Sequence, residues 1–306
     1  MSLPVYTHPA CIQHSPGRGH PECPERLGAV VESLRGAFPD LDWREAPQAL
    51  RSQLARVHAP SLIADILDVP THGARRLDAD TVMNDHSAEA ALRAAGAGIA
   101  AVDAALRGRE PRAFCAVRPP GHHATGDVSM GFCLFNSVAV AAAHAVEAHA
   151  LERVAVVDFD VHHGNGTQAI FERDARVTYV SSHQAQLYPD SGFRHERGVG
   201  NIANAPLAAG TGGPGFRKAW TEILLPALED ARPQLVLVSA GFDAHRLDPL
   251  ADLNLDAGDF DWITRELVAL AARHAQGRIV STLEGGYSLS ALRESTVAHV
   301  NALIRA

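Results

Sequence analysis

The sequence predicts an α/β fold built on a mainly parallel β-sheet with helices on both faces. Three observations lead there. Short β-branched apolar runs alternate with longer Ala/Leu-rich stretches through most of the chain. The short runs are bounded by Gly, Pro or Asp, as buried strands are. No flexible linker, fixed-period repeat or break in composition divides the chain, so residues 1–306 are read as one domain.

The elements follow in chain order. The N-terminal third is the least regular part. "SAEAALRAAGAGIAAVDAAL" then has helical length and spacing, "AFCAV" reads as a strand, and "NSVAVAAAHAVEAHA" as the next helix. "RVAVVDFD" and "VTYVSS" are strands, "FRKAWTEILLPALEDA" a helix, and "QLVLVSAGF" a further strand. "DFDWITRELVALAARHA" is helical, and "RIVSTLEGG" is the last strand read. Strands that are apolar along their whole length need cover on both faces, which crossover helices supply. Ligands of such sheets sit at the carboxyl ends of the strands.

Composition narrows the function classes. The hydrophobic fraction of 46% and charged fraction of 20% are those of an ordinary globular protein. A formal charge of −8, from 27 Lys+Arg against 35 Asp+Glu, with no basic run, argues against nucleic acid or an anionic membrane as partner. No apolar stretch approaches the ~18 residues of a membrane span. The start "MSLPVYTHPACIQH" lacks the basic-then-apolar blocks of an export signal, so a cytoplasmic location is expected. Cys11, Cys23, Cys115 and Cys133 form no CxxC pair and are expected as reduced thiols. "GTGGPG" from Gly210 matches GxGxxG, but it contains a proline and follows no convincing strand. "DVSMG" around Ser129 lacks the first glycine of a nucleophile elbow. "NGT" at Asn165 matches a glycosylation sequon but lies inside the motif that carries the chemistry.

In "VAVVDFDVHHG" the residues Asp158, Asp160 and His162 recur at every second position, which on a strand puts all three on one face at its carboxyl end. An unpaired buried carboxylate is costly, so charges there need partners or a metal. Asp160 and His162 make half of a metal site, and Asp158 is left to orient another group. Asp243, in "LVLVSAGFDAH", is the second contributor. Two carboxylates and one imidazole with an open position suit zinc, and ligand type alone leaves ferrous iron and cobalt open. His122 and His123 follow the rigid turn "VRPPG"; adjacent imidazoles there supply base and acid for a metal-bound water. Asp158 and Asn165 fix their tautomers, one per histidine. In "IVSTLEGGYS" two glycines free Tyr287 to swing a phenol donor toward a developing oxyanion. The assembled parts describe hydrolysis of an amide or a similar acyl bond.

Each part alone has a plainer reading. A His-His dipeptide is most often a solvated turn, Asp243 a helix cap, Tyr287 a core ring. Their joint placement at strand ends favours chemistry. His144, His149, His274 and His299 lie on helical segments and are read as packing or surface residues.

"GHPECPERL", "RPPGHHA", "GFCLFN", "VDFDVHHGNGTQ", "LYPDSG", "SAGFDAH" and "LEGGYS", in this order, resemble the motif series of the zinc-dependent histone deacetylase superfamily. That superfamily includes bacterial acetylpolyamine amidohydrolases and acetoin-utilisation proteins. The match runs over nearly the whole chain. Asn165 stands where class I members carry Asp, which with "HPECPERL" makes the chain look like class II. The resemblance implies the arginase-deacetylase fold, one α/β domain with a parallel sheet of about eight strands. It implies one zinc per chain on Asp160, His162 and Asp243, with His122 and His123 as the tandem histidines paired with Asp158 and Asn165. The base is assigned to that pair, His123 favoured. Tyr287 matches the carbonyl-polarising tyrosine, and Gly131 the residue whose carbonyl receives the substrate N–H. Phe132 and Tyr188 match the tunnel walls, Tyr188 replacing the more usual Phe. Arg26 resembles the arginine near the acetate exit path. Potassium is implied as well: Asp158, Asp160, His162, Ser181 and Ser182 match a site close to zinc, and Phe171, Asp174 and Val177 part of a second.

Substrate choice is less determined. Polyamine-selective class II relatives carry a Glu on the loop after the ligand Asp, where "AHRLDPLADL" puts Leu250 at the gatekeeper position. That weakens the polyamine reading. Other bacterial polyamine deacetylases restrict access by dimerising, so a homo-oligomer is compatible with either substrate. Asp85 and His86 lie at the rim against the substrate backbone, or form a solvated helix cap. The leading expectation is a zinc-dependent deacylase acting on acetylated lysine in peptides or on similar small acyl-amides, with acetylpolyamine hydrolysis as the alternative. A dinuclear manganese ureohydrolase needs more bridging aspartates than the motifs supply. A non-catalytic acyl-group sensor is disfavoured because no motif residue is missing. Alanine and arginine richness points to a GC-rich bacterial genome.

Overall fold

The computed structural model describes residues 3–108 and 110–305. Two short strands, β1 (Pro4–Thr7) and β2 (Asp42–Glu45), flank helices α1 (Ala10–Gln13) and α2 (Glu25–Ala37). Helices α3 (Arg51–Leu54) and α4 (Pro60–Asp68) precede a small antiparallel pair, β3 (Arg75–Arg76) and β4 (Val82–Met83). Then come α5 (Ser87–Arg107), β5 (Arg112–Cys115), α6 (Ser137–His149), β6 (Val154–Asp158), α7 (Asn165–Phe171), β7 (Val177–Gln184) and β8 (Ile202–Leu207). The chain closes with α8 (Gly213–Ala219), α9 (Leu225–Ala231), β9 (Leu235–Ala240), α10 (Ala257–His274), β10 (Ile279–Leu283) and α11 (Leu289–Arg305).

Eight strands form one parallel sheet in the order β2-β1-β5-β10-β9-β6-β7-β8. Every residue of β6, β9 and β10 is buried, which requires cover on both faces. Helix α5 packs on α6, and α11 packs on α10 and α2.

All the strands and helices named from the sequence are present, with one helix divided. Between α8 and α9 the turn Trp220–Leu224 is a π-helix. Pro226, in the first turn of α9, has no N–H to give four residues back, and the ladder widens just before it. The sequence reading omitted β1 to β4, α1 to α4, α7, β8 and α11. β8 contains Pro206, which is tolerated because β8 is an edge strand.

Phe159 and Phe242 are buried beside Asp158, Asp160 and Asp243 and pack with Phe260 at ring separations of 5.2–6.1 Å. Anchoring each Phe in the core fixes the direction of the neighbouring carboxylates.

Candidate active site

Four sheet neighbours, β5, β10, β9 and β6, bring together motifs that are far apart in sequence. One expectation needs correction. β6 ends at Asp158, so Asp160 and His162 lie in the following turn and not on the strand. Asp158 Oδ1 accepts the Asp160 N–H at 3.1 Å, and Asp160 Oδ1 accepts the His162 N–H at 2.9 Å. Each carboxylate thus folds back on the N–H two residues on, so the alternate spacing serves a chain of Asx turns instead of a strand face.

Asp160 Oδ2 accepts the Gly285 N–H at 2.8 Å, and Asp243 Oδ1 accepts the Val161 N–H at 2.8 Å. His162 Nδ1 lies 3.1 Å from Asp160 Oδ1 and 3.2 Å from Asp243 Oδ2. Asp243 Oδ2 is nevertheless buried without a hydrogen bond. A side chain at Gly285 would collide with that same oxygen, so the backbone must pass bare. One ligand atom from each of Asp160, His162 and Asp243 lies within 4.8 Å of the others. Two buried carboxylates, one with an orphaned oxygen, facing an imidazole nitrogen fit a divalent cation. Burial, reinforced by the Asp160 charge, pushes Asp243 up to about 7. Burial opposes charge on His162, but the two carboxylates raise it to about 10.

His122 Nδ1 meets Asp158 Oδ2 at 3.0 Å, and His123 Nδ1 meets Asn165 Oδ1 at 2.8 Å. The pairing assigned to the two imidazoles is therefore formed. Burial disfavours a charge on either ring. Asp160 and Asp158 overcome it at His122, which is raised, whereas His122 and His162 deepen it at His123, which is lowered. One ring is thus held charged and its neighbour neutral.

A cavity of about 210 Å³ opens onto this group, lined by Asp80, His123, Gly131, Phe132, His162, Leu187, Tyr188, Leu250 and Tyr287. His123 and His162 are buried at its inner end, while Tyr188, 39% exposed, marks the mouth. Tyr188 stands edge-on to His123 at 5.1 Å, and Phe132 edge-on to Tyr287 at 5.9 Å. Gly131 has φ +55°, and a Cβ there would meet the His123 ring at 2.5 Å.

Two of the residues named from the sequence, Arg26 and His86, do not line this cavity. Arg26 is fully buried and does not line the cavity. It donates to Gly286 O and Glu284 O, and its guanidinium lies 4.8 Å over the Tyr287 ring, so it holds the Gly-Gly-Tyr turn. His86 is exposed at the start of α5 and does not line the cavity, and Asp85 accepts the Gly73 N–H; neither side chain caps the helix by a hydrogen bond. The acidic residue at the mouth is Asp80, which the sequence reading missed because nothing in "LDADTV" marks it.

Other supporting residues were missed as well. Tyr179 donates to Asp158 Oδ2 at 3.1 Å, and Asp248 Oδ2 accepts the Tyr287 N–H at 2.7 Å. Glu284 accepts the N–H groups of Gly121 and His122 at 2.6 and 3.2 Å, joining the β10 end to the turn that carries the imidazoles. A lone Glu in an apolar strand end was the available signal.

The alkali-cation assignments separate. Asp158, Asp160, His162, Ser181 and Ser182 are each buried, and Asp158 pairs with Ser181 across β6 and β7. The carbonyls of Phe171, Asp174 and Val177 all accept from Asn201 Nδ2.

Away from the cavity, His144 and His149 both reach Asp103 Oδ1, at 2.9 and 2.6 Å. Arg56 donates to His144 Nδ1 at 2.8 Å, which leaves the proton on Nε2. The group is a hydrogen-bonded tie between α5 and α6. Ser129 is buried and donates to Leu134 O, and Gly213–Gly215 begin the short helix α8. All four cysteines are unpaired.

Comparison with known proteins adds the following. Residues 20–303 match the histone deacetylase domain family. The chain is 42% identical over 296 residues to a histone deacetylase-like amidohydrolase of Pseudomonas aeruginosa, covering 94% of this chain and 77% of that one. It is 37% identical over 308 residues to the polyamine deacetylase HDAC10 of Homo sapiens, covering 93% of this chain and 45% of that one. The crystal structure of the HDA15 HD domain superposes with a TM-score of 0.94 at 34% identity, covering 99% of this chain and 88% of that one.

Proposed function

This chain belongs to the histone deacetylase domain family, and on that premise we propose that it is a zinc-dependent deacylase of acetylated lysine side chains or similar small acyl-amides. Family membership itself supports hydrolase chemistry of the deacetylase and amidohydrolase type. The observation that carries the finer reading is the buried, unpartnered Asp243 Oδ2 beside His162 Nδ1, at the inner end of a cavity that His123 and Tyr287 also line.

A zinc ion held by Asp160, His162 and Asp243 would act as a Lewis acid on the acyl carbonyl and make a water more acidic. His123 gives its Nδ1–H to Asn165, which leaves Nε2 free to take a proton from water. The departing amine needs that same proton, so one imidazole serves as base and then as acid. His122, held charged by Asp158 and Asp160, stabilises negative charge growing beside it. Burial raises the Tyr287 phenol, which keeps its proton available to the carbonyl oxygen. Gly131 offers its carbonyl to the substrate N–H, Phe132 and Tyr188 flank the acyl chain, and potassium fits the oxygen donors around Asp158. The ureohydrolase alternative is less supported: the Asp158 carboxylate serves Asp160 N, His122 and Tyr179, and the motifs supply no further bridging aspartate for a second divalent metal.

The direct test is turnover of acetyl-lysine peptides, acetylputrescine and acetylspermidine by zinc-loaded protein, with and without a hydroxamate chelator. Hydroxamate-sensitive peptide turnover supports the reading; inactivity on every amide refutes it.

A second reading, acetylpolyamine hydrolysis, is favoured by Asp80 at the cavity mouth, with Asp78 acting on Tyr188 from the same side. A carboxylate there attracts a distant ammonium. The apolar gatekeeper gives no such help, so Leu250→Glu is expected to raise kcat/KM for acetylspermidine relative to an acetyl-lysine peptide by about tenfold, equivalent to ~1.4 kcal/mol. An unchanged ratio would remove Leu250 from substrate selection. A cytoplasmic location is part of the proposal. It rests on the four unpaired cysteines, three of them buried, and is compatible with the absence, among the described residues, of any helix long and apolar enough to cross a membrane.

A further inference from the structure

Between the end of α7 and the start of β7, the carbonyl oxygens of Phe171, Asp174 and Val177 turn toward one point. The Asn201 side-chain nitrogen occupies it, at 2.7, 3.0 and 2.7 Å from the three oxygens. Converging main-chain carbonyls repel one another unless a cation or an N–H group lies between them, and rings of such oxygens are how proteins hold potassium. Phe171 O and Asp174 O also accept main-chain N–H groups, from Asp174 at 2.9 Å and from Val177 at 3.1 Å, so the two amide hydrogens are shared among three oxygens without leaving either of these unpaired. That geometry is a cation's coordination shell filled by a neutral donor.

The amide orientation is fixed from its other side. Val199 N donates to Asn201 Oδ1 at 3.2 Å, and a flipped amide would turn that oxygen onto three carbonyls. Asn201 is 7% exposed, and its own carbonyl accepts from Tyr179 N at 2.9 Å, which ties it into the β7–β8 ladder. No carboxylate is left to favour an ion, because both Asp174 oxygens accept from Arg176, at 2.7–3.2 Å.

We propose that the Asn201 carboxamide is a built-in substitute for a second alkali cation, so that this chain closes the Phe171–Asp174–Val177 site with its own N–H groups and binds no ion there. The connection leading from α7, which begins with Asn165, into β7 is then held without potassium at this point. The inference is independent of the deacylase reading, since none of its tests involves turnover.

Thallium, a potassium surrogate with strong anomalous scattering, is soaked into crystals of the zinc-loaded protein. The expected result is no thallium between Phe171, Asp174 and Val177. A peak there, with the amide swung out, overturns the proposal. Asn201→Gly empties the shell and is expected to take up thallium at that point. Its melting temperature should rise by about 2–4 °C from potassium-free choline chloride to saturating KCl at equal ionic strength, beyond any change in the parent. An Asn201→Gly protein that gains neither thallium nor potassium dependence overturns the proposal as well. If this variant does not fold, the parent crystals alone decide.

Discussion

Tyr287→Phe is expected to lower kcat by about 10²–10³-fold while leaving bound zinc and melting temperature unchanged. The substitution removes one oxygen and nothing else. The ring keeps its place under the Arg26 guanidinium and edge-on to Phe132, and the backbone N–H keeps its bond to Asp248. The contacts proposed for the substrate at Phe132, Tyr188 and Gly131 would be untouched, so KM should change little and the loss should fall on kcat. What disappears is a donor aimed at charge that develops only during reaction. Steady-state kinetics on an acetyl-lysine peptide, with metal analysis and thermal melting of the same preparation, separates this from a structural role. A fully active variant refutes the assignment.

Asp243→Asn is expected to empty the metal site and abolish turnover. Its Oδ1 can still accept the Val161 N–H, so the fold keeps that bond, but an amide NH₂ replaces the oxygen that faces His162. Losing an outer partner of a metal ligand costs about 10–100-fold in affinity, and losing an anionic ligand should cost more. The metal-free parent holds two buried carboxylates together. Because folding raises Asp243 to about 7, its ionisation destabilises the metal-free fold progressively as pH rises from its unfolded value toward 7, and fully above that. At pH 8 the metal-free variant should therefore melt at or above the metal-free parent, and zinc should stabilise only the parent. Zinc must also displace ligand protons. With His162 raised to about 10 and Asp243 to about 7, parent affinity should fall by about two log units per pH unit below pH 7, and by about one between 7 and 10. Calorimetric titration in buffers of different ionisation enthalpy measures the protons released. A variant that retains zinc at parental affinity would exclude Asp243 as a ligand.

The site was legible in the sequence to the extent that its parts are local patterns. "DFDVHH", "GFDAH", "PPGHH" and "EGGY" each end an apolar run; the structure brings three of them to one cavity and sets Asp243 of the fourth behind it, against His162. The Asp158–His122 and Asn165–His123 pairs are formed as read. The strand face assumed for Asp160 and His162 was not, because carboxylates that accept the N–H two residues on give the same spacing without a ladder. The central strands were readable because burial on both faces makes them apolar throughout. The edge strands β2 and β8, and the short β1 next to β2, were not, since short or proline-containing segments acquire strand geometry only from their neighbours.

The sequence by itself determined which donor groups each motif offers and the alternation of strand and helix, since both depend on residues a few positions apart. Only the tertiary structure decided which strands are neighbours, and with it that Asp80 and not His86 stands at the mouth, that Arg26 lies beneath Tyr287, and that Asn201 fills the carbonyl shell near α7. Those contacts join residues 24 to 261 positions apart, with each partner ordinary in its own segment. Local composition carries no trace of them, because they arise only when the buried sheet sets the order of its strands.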